Sequence, residues 1–463
     1  MSITGIFDIG KSALFAYQKA MGVTGHNIAN VNTPGYARQE AVLSERGPLD
    51  GQPGQVGTGV EVAQIRRQVD QFVEGSLMNS QEQLGYFTAS RSGLLQVSGT
   101  LAPSSELGIA TGLNEFFQSI QDVATNPSDP AARTVMLSKA STLAQRLNQT
   151  AVELDRQRVQ VDSEIRQSIE EVNSLTSKIA TLNLDISRAE VSGQQANDLR
   201  DQRGRLVNDL ANLIEVSTIE DQYGQLSVFA GRGQVLVTSG QAFQLVGVPD
   251  ATNGGMVDVR YDSGAGPVTD MTSVIQSGRL KGLLDLRDTT LPSSLASLDT
   301  LASTLVTQIN TQHRAGYGLD GSTNVNFFLP TGTAARDIAV AVTDARQIAA
   351  SSTAAGVPGN NGNALALGSL ETASLAALGG KSFIGHFSSL VGGVGALAQA
   401  AERDLAAQDI VHEQLQARRA EVSGVSLDEE LVSMIQHQRA FQAASKIIVT
   451  ADEMLQTLLS LKR

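Results

Sequence analysis

SLDEELVSMIQHQRAFQAASKIIVTADEMLQTLLS, residues 426–460, is the stretch whose reading decides the fold. Leu427, Leu431, Met434, Gln438, Phe441, Ser445, Ile448, Asp452, Leu455 and Leu459 step by alternating fours and threes, the 3.5-residue period of a helix lying along a partner helix. The partner stands at the opposite end: Ile3, Phe7, Gly10, Leu14, Tyr17, Met21, Thr24 and Ile28 keep the same rhythm. The expected fold is therefore mainly α with an inserted β-rich domain, an elongated multidomain rod with N- and C-terminal helices paired as a coiled coil. Gln438, Ser445 and Asp452 interrupt the C-terminal seam with polar side chains, which predicts a pairing that strengthens only when neighbours pack on it.

Helix punctuation is clear near the C-terminus. From Ala396 onward the only glycine is Gly424, so two long helices broken once are expected. Ser426 with Glu429 forms a capping box, Asp428 to Glu430 suit the positive end of the helix dipole, and Lys462-Arg463 suit the negative end. The last helix is expected to start at 426 or 427.

Residues 131–192 contain neither glycine nor proline, and Ile165, Ile169, Val172, Leu175, Ile179, Leu182 and Ile186 trace one apolar stripe. A helix of about 60 residues would span about 90 Å. Ser192-Gly193 reads as a turn and Asn197 to Ile214 as a return helix. Between Val216 and Tyr261 the period drops to two, giving short strands separated by glycine-rich turns. Helical spacing returns from Leu280 to Thr311, and residues 351–395, rich in Gly, Ala, Ser and Asn, read as a connection. The domains expected are 1–38, packing with 396–463; 39–215 plus 351–395, built on the long helix; and an outer β-rich unit, 216–350, with a helical segment near 280–311.

Composition excludes several classes of function. Thirty-four basic against 47 acidic residues give a net charge of -13, which repels nucleic acid. The absence of cysteine removes disulfides, thiolate catalysis and thiolate metal sites. No basic leader with an apolar core and no run of 18 apolar residues occurs, so neither a cleaved signal peptide nor membrane insertion is expected. Gly231-Arg232-Gly233 starts like a phosphate loop, but Leu236 stands at the third glycine position and the flanks alternate like a hairpin. His26, His313, His386, His412 and His437 share no ligand spacing, and Asp320 to Asn326 lacks the closing carboxylate of a calcium loop. Asp198, Arg200, Asp201 and Arg203 read as surface ion pairs. No cofactor, metal or catalytic residue is expected.

The most specific stretch closes the first helix: Ala29-Asn30-Val31-Asn32-Thr33-Pro34-Gly35-Tyr36-Ala37-Arg38. Pro34 pushes Thr33 out of the helical region, Gly35 permits positive φ, and the asparagines can bond freed carbonyls. Gly25-His26-Asn27-Ile28-Ala29-Asn30 running into Val31 to Tyr36 resembles the N-terminal signature of the bacterial flagellar axial proteins, the family of rod, hook and hook-associated subunits. Gly5 to Gly10, Asn197 to Arg203, Gly282 to Asp288, Gly359 to Leu365, Ser423 to Glu430 and Gln438 to Ala444 resemble in particular its members at the hook-filament junction.

The resemblance implies an exported structural adaptor. Subunits would leave the cell unfolded through the type III channel, without a cleaved signal, and become extracellular parts of the flagellum. Implied partners are other copies in a ring, the hook protein, the second junction protein, and an export chaperone on the C-terminal helix. The axial signature would be Asn27, Ala29, Asn30, Asn32, Thr33, Pro34, Gly35 and Tyr36. The assembly and chaperone surface would be Leu427, Leu431, Met434, Phe441, Ile448, Leu455 and Leu459. The alternatives are another axial subunit, such as the hook protein, and a secreted enzyme with its site in the β-rich unit.

Overall fold

The computed structural model describes residues 3–50, 54–103, 108–191 and 193–460; Ser192 of the expected turn and the Lys462-Arg463 pair lie outside them. Helix α1 (Ile3–Ala29) runs into the hairpin β1 (Gln39–Glu45) and β2 (Val60–Arg67), then α2 (Gln71–Leu101), α3 (Ile109–Thr125) and the 61-residue α4 (Pro130–Glu190). Asp70 caps α2 by accepting from the Phe72 and Val73 N–H groups, and Asp129 caps α4 through Ala131 N, with Pro130 in the first turn. The hairpin, α2 and α3 were not legible in the sequence: α2 carries Gly75, Gly85, Gly93 and Gly99, which obscure helical spacing.

Helix α5 (Asn197–Leu213) returns along α4 to a four-stranded antiparallel sheet of β3 (Val216–Glu220), β4 (Leu226–Ala230), β5 (Gln234–Thr238) and β6 (Gln241–Ala242). Gly231 and Gly233, with φ of 54° and 97°, form the turn between β4 and β5, as the alternating flanks predict. Strands β7 (Gln244–Pro249), β8 (Val257–Asp262) and β9 (Thr269–Asp270) make a second antiparallel sheet. Helix α6 (Gly278–Asp285), a π-helical turn over Leu286–Thr290 and α7 (Leu291–Arg314) follow one another directly.

Beyond α7 an irregular segment leads to α8 (Gly362–Ser369), α9 (Phe383–Ser423) and α10 (Leu427–Ser460). The last helix starts where its capping box predicts. Helix α9 starts earlier than expected, inside the stretch read as a connection: the Ser382 hydroxyl caps Gly385 N, and Phe383, Phe387 and Val394 are buried. Their burial outweighs the cost of Gly385, Gly392, Gly393 and Gly395 in a helix.

The long helix is the spine on which the strands hang. Asp162, Asn173 and Asn183 recur at intervals of about three helical turns and so point the same way. Each satisfies strand backbone: Asp162 Oδ1 accepts from Val257 N at 2.8 Å, Asn173 exchanges two bonds with Leu245, and Asn183 Nδ2 donates to Leu226 O and Ser239 O. Arg287, fully buried in the π-helical turn, donates to Asp162, to Val257 O and to Asp288. Lone backbone groups at strand ends are costly to bury, so these polar clips fix where each sheet sits.

One apolar core continues from Val97 to Val394. Its densest part is a knot of Phe116, Phe117, Phe327, Phe328 and Phe383, with neighbouring ring centroids 5.0–6.0 Å apart. Helix α2 lies antiparallel to α9, joined by Arg91–Glu402, Ser80–His412 and Arg419–Glu74 contacts. Helix α1 lies antiparallel to α10, with Asn27 beside Glu430, Tyr17 beside His437 and Gly10 against Ile448. The accessible surface is 23110 Å², against about 16,600 Å² expected of a compact monomer of this mass.

Two glycines in helices predict opposite responses. A Cβ on Gly85 would lie 2.0 Å from Asn212 O, a backbone atom that cannot step aside, whereas at Gly204 nothing lies within 4 Å. Gly85→Ala is expected to lower stability by roughly 2 kcal/mol or more and Gly204→Ala to raise it by roughly 0.5–1 kcal/mol, read by thermal unfolding. Equal responses would contradict the close α2 contact.

A pH dependence follows from Glu82, buried in α2 and accepting from Val216 N and Ser277 Oγ at 2.9 and 3.0 Å. Desolvation, with the nearby Glu215, outweighs both bonds and lifts its carboxyl from 4.5 to about 7. A raised folded pKa means the native state holds the proton longer, so this contribution is complete below 4.5 and lost as pH rises through about 7. Glu82→Gln is expected to flatten the parent's decline in stability across that window, as denaturant titrations at several pH values would show.

Candidate functional site

The chain turns back on itself where α1 ends, and almost every side chain there is used. Asn27 is saturated: Nδ2 donates to Gln39 O at 2.8 Å and Glu430 Oε2 at 3.0 Å, while Oδ1 accepts from Tyr36 OH at 2.8 Å and Gln39 N at 3.0 Å. Arg38 Nε donates to Glu430 Oε1 at 2.7 Å and Nη1 to Glu429 Oε2 at 3.0 Å, and Arg38 N bonds Ser423 O. Ala37 N donates to Asp201 Oδ2 at 3.0 Å, and Arg67 forms a 2.8 Å ion pair with Asp201 Oδ1 without aiming its N–H at the oxygen. Arg419 Nη2 and Arg205 Nη1 donate to Gly35 O and Pro34 O. Six elements, α1, β1, β2, α5, α9 and α10, are thereby tied at one point.

Burial sets the electrostatics. Tyr36 is held well above the ordinary phenol range by desolvation and then by Asp198, Asp201 and Glu430, so it stays a neutral donor. Asp201 is also raised by burial, which Arg67 and the Ala37 N–H oppose. Beside the turn, residues of α2, α5 and α9 line an open recess of about 800 Å³, with Pro34, Leu77, Gln81, Asp201, Asn208 and Gln416 among its walls. It joins no nucleophile to a base, and among the described residues no group of His, Asp and Glu is placed to hold a metal.

The expected signature residues divide into two sets. Asn27, Gly35 and Tyr36 face inward, and Asn30 bonds His26 O and the Thr33 hydroxyl; Ala29, Asn32, Thr33 and Pro34 are exposed. Gly35 has φ of 74°, as its place after proline predicts, and its missing Cβ leaves room for the Arg205 stem. On α10, Met434, Phe441, Ile448 and Leu455 are half-buried, while Leu427, Leu431 and Leu459 are 46%, 50% and 62% exposed.

Three findings differ from the sequence reading. The side of α10 facing α1 carries Glu430, His437, Ala444 and Ala451, alternating with Met434, Phe441, Ile448 and Leu455; Gln438 and Asp452 are exposed. The seam is thus one residue round from the expected one: α1 approaches closely at Gly10, Ala444 and Ala451 are buried against it, Ser445 is half-buried beside them and Asp452 is exposed. Asp201 and Arg203, expected as surface ions, are buried, the latter on Asn183, Gly224 O and Glu220. Glu430 was legible only as a dipole partner, because it closes the acidic run Asp428-Glu429-Glu430 and lies off the expected seam.

Comparison with known proteins fits this division. Residues 94–328, just over half of the chain, match the model of the flagellar hook-associated protein FlgK helical domain. The chain belongs to the flagellar hook-associated protein FlgK family. Residues 7–36 and 416–461 match, respectively, the basal body rod protein model and the C-terminal model of the rod proteins FlgEFG. Flagellar hook-associated protein 1 of Escherichia coli (strain K12) is 26% identical over 548 aligned positions, covering 99% of this chain and 100% of that protein. Its counterpart in Salmonella typhimurium is 32% identical over 329 positions, 70% of this chain and 59% of that one. The structure of the flagellar hook junction protein FlgK from Burkholderia pseudomallei shares the fold, with a TM-score of 0.67 at 19% identity over 75% of this chain and all of that one. This FlgK-family chain is a structural, flagellum-associated component and not an enzyme.

Gly35→Val would force a β-branched residue to positive φ and press on the Arg205 stem. The expected loss is on the order of 1–3 kcal/mol. It should appear as reduced amide protection at the α1–β1 turn, with the phenylalanine knot unaffected; full protection there would show that the turn tolerates the strain.

Proposed function

We propose that this chain is the adaptor forming the zone between hook and filament, with its terminal helices entering the axial tube beside those of neighbouring copies. The observation that carries this reading is the division of the matches: both terminal segments resemble rod proteins, and the middle resembles hook-associated ones. The ends would supply what axial subunits share, and the body what marks this one position. The domains proposed are 1–38 with 396–463 as the axial part, 39–215 with 351–395 as the long-helix body, and 216–350 as the outer unit.

The surface supports it. Val432, Ile435, Ile447, Val449, Met454 and Leu458 on α10 are each exposed by 41% or more, far more apolar surface than an isolated helix in water normally leaves bare. In the tube it would be covered by copies of the same chain, the hook protein and the second junction protein; before export a helical chaperone would shield it together with Leu427, Leu431 and Leu459. The half-buried Met434, Phe441, Ile448 and Leu455 would join that surface when α10 leaves α1. Export unfolded and without a cleaved signal, ending outside the cell, completes the proposal.

Ile435→Asp with Val449→Asp tests the outward face. Both sites are exposed, so monomer stability is expected to change by no more than about 0.5 kcal/mol. Binding to isolated hook ends, followed by electron microscopy, is expected to be lost. Retained binding would overturn the role of this face, and failure of the parent to bind hook ends would overturn the adaptor reading.

A further inference from the structure

We infer that Glu430 is the residue that sets the register of α10 on α1. Among the described residues of α10 only Glu430, Ala444 and Ala451 are buried, and Glu430 is the one charge, 2% exposed. Apart from His437, the rest of the seam repeats every seven residues with half-buried apolar side chains or alanine, so packing alone discriminates weakly between the observed alignment and one displaced by a heptad. A displacement of seven residues moves the helix by about 10 Å.

Glu430 breaks that degeneracy through both of its oxygens. Oε1 receives Arg38 Nε at 2.7 Å and Oε2 receives Asn27 Nδ2 at 3.0 Å. The fork is prepared in advance: the other Asn27 bonds fix its amide against Gln39 and Tyr36, and Arg38 is anchored by its own N–H on Ser423 O and by its O on Gln68 N. Slid by a heptad toward its C-terminal half, α10 would offer His437 to this fork, which then faces a ring with no carboxylate to accept from Arg38. Slid the other way, α10 would withdraw Glu430, leaving one of the two Asn27 Nδ2 N–H groups, which is buried, and the partly buried Arg38 Nε without their acceptor. Each alternative strands a buried amide donor and a half-buried guanidinium donor, a penalty that apolar contacts along the seam do not carry.

Glu430 is thus a positioning residue: it selects one alignment rather than supplying the pairing force. The inference concerns the monomer and stands apart from the adaptor reading. A single polar group at one seam position is an effective register device because every other alignment leaves it without partners.

The absence of cysteine in the chain makes the test clean. Lys19→Cys on α1 and Arg439→Cys on α10, both exposed, accept spin labels whose separation reports the alignment of the two helices in the full chain. The parent background is expected to give one narrow distance. Glu430→Leu, which keeps helix propensity and apolar packing, is expected to add a second population displaced by about 10 Å, with the thermal transition of the body unchanged. Arg38→Met, which removes one arm of the fork, is expected to do the same to a smaller extent. One unchanged distance in both variants would overturn the inference. So would a featureless distribution from an undocked helix, since Glu430 would then supply attachment and not register.

Discussion

Asn27 and Glu430 are 403 residues apart in sequence and 3.0 Å apart in space, and the rest of the structure depends on that meeting. The entropy of closing so long a loop grows only slowly with its length, so the body between the ends can be large at little extra cost. What the closure requires is specificity, because two amphipathic helices at the ends of a long chain can dock in several ways. The answer is polar. An amide with all four bonds committed, a carboxylate with both oxygens engaged and an arginine tied back to the body through its own backbone leave one arrangement in which this fork is fully paired.

The same logic recurs in the body, where it was hardest to read. The length of α4, the return helix, the strand region and the start of α10 were legible because glycine, proline and caps punctuate them and their apolar periods are long. Asp162, Asn173 and Asn183 look like ordinary polar residues on a mostly polar helix. Only the fold reveals that their spacing of about three turns aims them at the ends of three separate strands. Asp201 hid in the same way: its partner is the Ala37 N–H, a backbone group that no motif encodes.

The seam on α10 shows how a correct period can carry the wrong phase. Two 3.5-residue tracks share Met434, Phe441, Ile448 and Leu455 and differ in whether the intervening positions are 438, 445 and 452 or 437, 444 and 451. The first track also collects Leu427, Leu431 and Leu459, and hydrophobicity alone prefers it. Sterics decide otherwise: a Cβ on Gly10 would come within 2.7 Å of Ile448 Cγ1, so the helices touch too closely for more than Ala444 and Ala451 at the flanking positions. Periodicity reads which residues share a face, whereas the approach distance of the partner decides which face is used.

That choice has a consequence for the outward side. Placing alanines inward leaves Val432, Ile435, Ile447, Val449, Met454 and Leu458 facing water, the reverse of the partition expected for a helix that ends its life in a monomer. A 34-residue helix resting on one partner, with three buried residues, holds its place through a narrow contact and a polar fork. Small inward residues also let the pair present a thin, two-helix profile with its largest apolar side chains on the periphery. On the adaptor reading this geometry serves a tube, in which every pair is flanked by others: the narrow internal seam defines the unit, and the broad external face supplies the area that holds units together.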